Sequence, residues 1–215
     1  MLADRGVDGV IWFPIRDEDT SQGALADVPT VVVDRYLPGF DCVLANYAAG
    51  GRMAAEHLLA AGHRRIGVIS GPQDIRSMRE RCDAAVNAIE KGGALAFQVM
   101  NAFSIDLEPS VVAALETGGA TAVFAGADVI AIGVIRHLAA RGTPAPASVS
   151  VMGFDDIPWS ELNTPPLSTI EMPLHAMAIE AVQTLVQRIE QGEGAQKTVV
   201  LDVSLVARES VQAVC

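Results

Sequence analysis

Basic residues are scarce in this chain. Its 15 Lys and Arg face 26 Asp and Glu, a formal net charge of -11. A nucleic-acid-binding surface needs clustered cations to displace counterions from phosphates, and the 215 residues as a whole hold no such excess. Long apolar runs are lacking too. Val129–Ile135 is the longest near the centre, bounded by Asp128 and Arg136, and falls well short of the ~18 residues of a membrane span. The opening Met-Leu-Ala-Asp-Arg-Gly has no signal-peptide pattern. Cysteine is rare: Cys42, Cys82 and Cys215 are odd in number and scattered, which argues for a reducing cytoplasm and against a disulfide framework. No repeat and no low-complexity tract occurs.

Catalytic patterns are also missing. There is no Gly-x-Ser-x-Gly elbow. The histidines, His57, His63, His137 and His175, form no His-x-x-x-His pair with a carboxylate base. His63 follows Gly62 at a helix end, where a cation is favourable, which is a simpler reading than a metal site. A phosphate cradle needs a Gly-rich turn opening a helix after a strand; Gly50-Gly51 lies inside a helical stretch and suits close packing instead. No metal and no cofactor is expected, and the residues give no enzyme.

What is present is a core and an alternation. Half the residues are hydrophobic, enough for a packed domain or two. Strand-like runs at Gly9–Phe13, Thr30–Asp34, Cys42–Ala45, Ile66–Ser70, Phe97–Met100, Ala122–Ala125, Ser168–Ile170 and Thr198–Val206 alternate with helical stretches. The helices are a short one at Ser21–Ala26, then Tyr47–Ala61, Ser77–Lys91, Leu107–Thr117, Val129–Arg141 and Leu174–Gln191. Such alternation implies βαβ units and parallel sheets flanked by helices, an α/β class. Asn46 and Asp106 are candidate helix caps, and Gly62 suits a left-handed helix stop.

The most informative stretch is Val149–Pro173, VSVMGFDDIPWSELNTPPLSTIEMP. It starts as a doubly covered strand and ends in two carboxylates, Asp155 and Asp156. In open α/β sheets, ligands sit beyond the carboxyl ends of the strands, so Asp155 is placed for a ligand, while Asp156 suits a bond to the following turn. Ile157–Leu167 reads as irregular. The wording Gly-Phe-Asp-Asp followed by Thr-Pro-Pro-Leu-Ser-Thr-Ile and Pro173 closely resembles the effector-binding core of the LacI/GalR family of bacterial transcription regulators. Periplasmic sugar-binding proteins look similar up to Gly-Phe-Asp but lack the Pro-Pro-Leu-Ser-Thr-Ile tail.

The resemblance runs from Val7 to about Ser210. It implies a two-lobed, type I periplasmic-binding-protein-like fold with a cleft between the lobes. Lobe one takes residues 1–45 plus 171–203, and lobe two 46–170 plus 204–215. Leu2–Gly9 resembles the end of the second helix of lobe one. The first lobe is therefore expected to be incomplete, with exposed strand edges and no helix-turn-helix headpiece. The full protein is expected to bind operator DNA through that absent headpiece, with a small sugar-like effector shifting the lobes. Runner-up readings are a sugar-binding protein for transport and an α/β enzyme.

The resemblance also assigns residues. Gly-Pro-Gln-Asp-Ile-Arg-Ser-Met-Arg-Glu-Arg places Ser77 and Arg81 on effector positions. A forked guanidinium suits a polyol or carboxylate; the plainer alternative pairs Arg81 with Asp83 or Glu80. Phe103 matches an aromatic on which effector rings stack, and otherwise reads as core. Asp155 accepts ligand hydroxyls, and Asp34, with Arg35 beside it, lies near the effector. Asp128 is a further contact candidate, although a carboxylate opening a helix suits a cap. Ala127 departs from the family, standing where many members have Asn. Finally, Ile132 and Arg136 on one helix, with Trp159 and Leu162 in the loop beyond, imply a two-fold homodimer surface; the alternative folds Trp159 over the cleft mouth.

Overall fold

The structure is a computed structural model and describes residues 6–17, 25, 28–192 and 194–214. The expected helix at Ser21–Ala26 lies, apart from Leu25, outside the described residues, as does Cys215. The chain divides into two compact units: one formed by the residues up to Asn46 with Asp74–Ser77 and Pro173–Asp202, the other by Tyr47–Gln73, Met78–Met172 and the chain from Val203 on.

The first unit holds four parallel strands, β1 (Val10–Trp12), β2 (Thr30–Val33), β3 (Asp41–Ala45) and β9 (Thr198–Leu201), side by side in that order. β2 is buried along its whole length because neighbours lie on both sides and helix α6 (Leu174–Gln191) covers one face. Register puts Trp12 beside Val32 and Val32 beside Cys42. These pack with Leu37 and Phe40 on the face away from α6, Trp12 meeting Phe40 edge-on at 6.1 Å. On the α6 face, Arg188 clamps the buried Asp41 with two hydrogen bonds of 2.7 and 2.8 Å, and the Lys197 amide adds a third at 2.7 Å. Burial alone would raise the Asp41 carboxyl, but Arg188 and the Lys197 amide outweigh it and hold the group below its usual value. Among the described residues, β1 pairs on one side only, and Ile179, Val182, Val186 and Ile189 leave an apolar flank of α6 exposed.

The second unit has a four-stranded parallel sheet ordered β5 (Ala94–Met100), β4 (Arg65–Ser70), β6 (Ala122–Ala125), β7 (Ser150–Met152). Helices α1 (Tyr47–Ala60), α3 (Pro109–Thr117) and α4 (Asp128–Ala140) pack on it, and α2 (Arg76–Gly92) crosses α1. Gly62, at φ +94°, ends α1 as expected, with the Gly62 and His63 amides bonded back to Leu59 and Leu58. Several expectations need correction. The run Thr198–Val206 is two strands in different sheets: β9 joins the first unit, and β10 (Ser204–Val206) pairs antiparallel with β8 (Thr169–Glu171). Ile157–Leu162 is not irregular, since Pro158–Leu162 forms the short helix α5; Pro158 presets the first-turn φ. Asp106 caps nothing: α3 begins at Pro109 with Glu108 before it.

The glycine pair in α1 is used for packing, as the sequence suggests. A Cβ on Gly51 would lie 1.8 Å from the Arg81 carbonyl oxygen of α2, and one on Gly50 would lie 2.6 Å from the Phe154 ring. Gly51→Ala must therefore push α1 and α2 apart. Its expected cost is about 1–3 kcal/mol, the usual range for overpacking, read as a lowered midpoint in urea unfolding.

Candidate functional site

In the second unit the carboxyl ends of β4, β6 and β7 lead into the residues that could hold a ligand. After β7 the chain turns through Gly153-Phe154 into Asp155 at φ 118° and Asp156 at φ 54°. Two consecutive non-glycine residues in the left-handed region are unusual, and such strain concentrates at functional sites. Main-chain bonds from Asp155 N to Ile170 O (2.8 Å) and from Met172 N to Asp155 O (3.4 Å) fasten the turn to β8.

Arg81 reaches this turn from α2. Its Nη1 donates to Asp155 Oδ1 at 2.8 Å and to the Gly126 carbonyl at 2.9 Å. Its guanidinium carbon lies 3.9 Å from the Phe154 ring centroid and 5.3 Å from that of Tyr47, a double cation–π stack. Neither Glu80 nor Asp83 supplies the carboxylate of that ion pair; Asp155, 74 residues away, does. Arg81 is 5 % exposed, whereas the Asp155 side chain is 31 % exposed. The group facing solvent is thus the carboxylate, with the arginine as its buried brace.

Phe103 is 48 % exposed, so it is not a core residue; a Cβ on Gly71 at the end of β4 would lie 2.9 Å from its ring. The loop that carries Phe103 is organised by Asn101, which sequence reasoning missed. Asn101 is fully buried, donates to the carbonyls of Ala102, Ser104 and Asp106, and accepts from the Glu108 amide. An amide directly after a strand and before a lone aromatic was the available signal. Tyr47 was also missed, and nothing local to it in the sequence marks it as an arginine platform.

Asp128 must be corrected. It neither faces a ligand nor caps its helix, since Ala127 occupies the cap position. It is 0 % exposed and accepts from Ser160 Oγ (2.6 Å), Thr169 Oγ1 (2.6 Å) and the Ile157 amide (3.0 Å). Burial pushes its carboxyl up to about 7, against the lowering effect of those hydrogen bonds and with help from the nearby Asp155 charge.

The remaining candidates gather in the first unit. Arg35 pairs with the Asp34 carboxylate, donates to the Asp34 carbonyl at 2.6 Å and reaches Ser77 Oγ at 3.5 Å. Asp17 Oδ1 lies 3.8 Å from Arg35 Nε. Asp34 is also left-handed, at φ 65°. On the proposed oligomer surface, Trp159 and Leu162 of α5 are 67 % and 78 % exposed, Arg136 is exposed and Ile132 half-buried. Gly133 and Ile135 of the same helix are buried inside the unit. Among the described residues no cluster of three or more His, Cys, Asp or Glu could hold a metal, and no helix is long and apolar enough to cross a membrane.

Residues 55–211 match the model of the periplasmic binding protein-like domain. The ribose operon repressor of Haemophilus influenzae is 34 % identical over 218 residues, covering 98 % of this chain and 66 % of that protein. The chain belongs to the LacI/GalR family of periplasmic-binding-protein-like regulators. A solved transcriptional regulator CelR–cellobiose complex superposes with a TM-score of 0.87 at 31 % identity, over 98 % of this chain and 68 % of that one. A dimeric Lac repressor with an 11-residue C-terminal deletion gives 0.87 at 27 % identity, over 99 % and 80 %. The chain spans just under two-thirds of the length of the curated relatives it matches, 66 % and 64 % of the first two. These relatives are transcriptional regulators rather than enzymes.

Because Asp128 holds its proton more tightly when folded, the stability it contributes is fully present below about 3.8 and is lost as pH rises through about 7. Urea unfolding at intervals from about pH 5 to about pH 8 should show the wild type losing stability, relative to Asp128→Asn, as pH rises. Parallel curves for the two proteins would contradict the buried, protonated carboxyl.

Proposed function

We propose that this chain is the effector-binding part of a ligand-responsive transcription regulator, and that its effector is a sugar-like polyol. The observation that carries the reading is the Arg81–Asp155 pair at the carboxyl end of a parallel sheet. A carboxylate whose aim is fixed by a buried arginine accepts hydrogen bonds from neighbouring hydroxyls, and the exposed ring of Phe103 offers the apolar face of a sugar a stacking surface. Asp34, Arg35 and Ser77 are proposed as further effector contacts. Operator binding is assigned to the part of the relatives' length that these residues do not match. The -11 net charge supports that division, because phosphate contact favours cationic surfaces. A regulator that reads DNA acts in the cytoplasm.

Thermal-shift titration with cellobiose and D-ribose tests the effector class. A ligand at about 100 times its Kd stabilises by ~2.7 kcal/mol. The discriminating variant is Asp155→Asn, which leaves Arg81 an acceptor but removes the charge. Its expected effect is binding weaker by about 1.5–3 kcal/mol, the range for hydrogen bonds to charged groups. Arg81→Ala is less useful, because it empties a buried stack and loses folding stability along with binding. A wild type that responds to neither sugar removes the polyol reading.

We also propose a two-fold homodimer through α4 and α5, supported by the exposed Trp159 and Leu162 and by the palindromic operators such regulators read. An exposed tryptophan is a common interface anchor. Light scattering should find a dimer for the wild type and a monomer for Leu162→Asp. A variant that stays dimeric removes this surface from consideration.

A further inference from the structure

Asp155 and Asp156 each meet a different arginine, and the two arginines come from distant parts of the chain. Arg81 takes Asp155, as described. Arg208, on the C-terminal segment, donates from Nη1 to Asp156 Oδ1 at 2.7 Å and to the Leu167 carbonyl at 2.9 Å. Both side chains of that second pair are less than a fifth exposed, at 17 % and 18 %. The family resemblance drew attention to Asp155; nothing in the reading of the sequence pointed to Arg208.

Arg208 is itself rigidly mounted. Its amide donates to Ser168 Oγ at 2.9 Å, and that hydroxyl donates back to the Arg208 carbonyl at 3.1 Å. The Glu209 and Ser210 amides both bond the Pro166 carbonyl. Ser210 Oγ accepts from the Ser168 amide and donates to the Val151 carbonyl of β7 at 2.6 Å. Residues 208–210 therefore strap β7 to the segment before β8, the two stretches that flank the left-handed turn. A turn with φ of 118° and 54° at successive aspartates persists only where its surroundings over-determine it. The main-chain bonds to Ile170 and Met172 fix residue 155, Asp128 holds the Ile157 amide, and the Asp156 side chain between them is held by Arg208.

We propose that Arg208 is a positioning residue: through Asp156 it holds the left-handed turn that keeps Asp155 against Arg81 and aimed at a ligand. Arg208 touches no ligand in this scheme. The inference rests on the reading of Asp155 as an effector contact, but the geometry it asserts is testable without a ligand. Ion pairing rather than bulk is the operative property, so Arg208→Lys preserves the effect and Arg208→Met removes it.

Ligand-free crystal structures of the wild type, Arg208→Lys and Arg208→Met decide the geometric part. In Arg208→Met the expected result is a relaxed turn, with the Arg81–Asp155 separation beyond hydrogen-bond reach; Arg208→Lys keeps both. An unchanged turn and an intact Arg81–Asp155 bond in Arg208→Met overturn the proposal. Should Arg208→Met not fold, Asp156→Asn breaks the same ion pair while leaving the backbone strap of 208–210 in place, and the same two outcomes apply. Calorimetry with cellobiose and D-ribose separates this from the functional reading. A wild type that binds neither sugar defeats the polyol assignment, and the crystal structures still decide the role of Arg208. Where one of them binds, Arg208→Met is expected to bind it about tenfold more weakly, one charged hydrogen bond's worth, and Arg208→Lys close to normally. Equal affinity in Arg208→Met overturns the proposal.

Discussion

A guanidinium out of water must be paired, stacked and bonded or it costs several kcal/mol, and in the second unit Arg81 imposes that condition on its surroundings. It takes a carboxylate from the turn after β7, a carbonyl from Gly126 and two aromatic faces. Those partners come from α1, the end of β6 and the end of β7, so the cation ties three elements into one assembly. Gly51 and Gly50 belong to the same arrangement. One lets α1 approach the α2 turn that carries Arg81, and the other makes room for the ring on which Arg81 stacks. The glycines, the rings and the carboxylate are separate features only when the chain is read linearly.

Three aspartates show how environment divides one residue type into different tasks. Asp41 is buried against an arginine and an amide, and stays ionised as a clamp between sheet and helix. Asp128 is buried among hydroxyls with no cation, and its carboxyl rises to about 7. Asp155 keeps a buried arginine on one side and solvent on the other. Burial acts on both and weighs more on Asp128, while the charged Arg188 donor reverses its effect at Asp41. Gly153 belongs to the Asp128 network, because a Cβ there would fall 2.1 Å from Asp128 Oδ1.

Much of this was legible in the sequence, and the pattern of misses has a physical reason. The alternation of strands and helices, the Gly62 stop and the packing role of Gly50-Gly51 are local or periodic, and a linear reading reaches them. Gly-Phe-Asp-Asp and Pro-Pro-Leu-Ser-Thr-Ile identified the family because those turns constrain several residues at once. The reading failed where a side chain is defined by a partner far along the chain. The plainer alternative for Arg81 named Asp83 or Glu80 as its partner, whereas Asp155, 74 residues away, takes that place. Asp128 was taken for a contact or a cap until Ser160 and Thr169 enclosed it. Helix α5 has five residues, too few for any period to show. The break of Thr198–Val206 into two strands is invisible locally, because Leu201 and Ser204 suit a strand equally well and only their neighbours differ.

The split strand bears on how the polypeptide is made. β9 pairs in parallel with β3, so Cys42 must wait for Thr198 to find its neighbour. α6, which covers that sheet and supplies Arg188 to Asp41, also comes late in synthesis. During translation β1, β2 and β3 therefore emerge long before α6 and β9, which pack against them. The sheet of the second unit, by contrast, is fully synthesised once residue 152 has emerged. Domains fold as units in the order their contacts become available, and long-range pairing is slow. Until α6 and β9 have emerged, β2 and β3 stay without the helix that covers them and the edge strand that completes their pairing, so their apolar residues depend on sequence made more than 120 residues later.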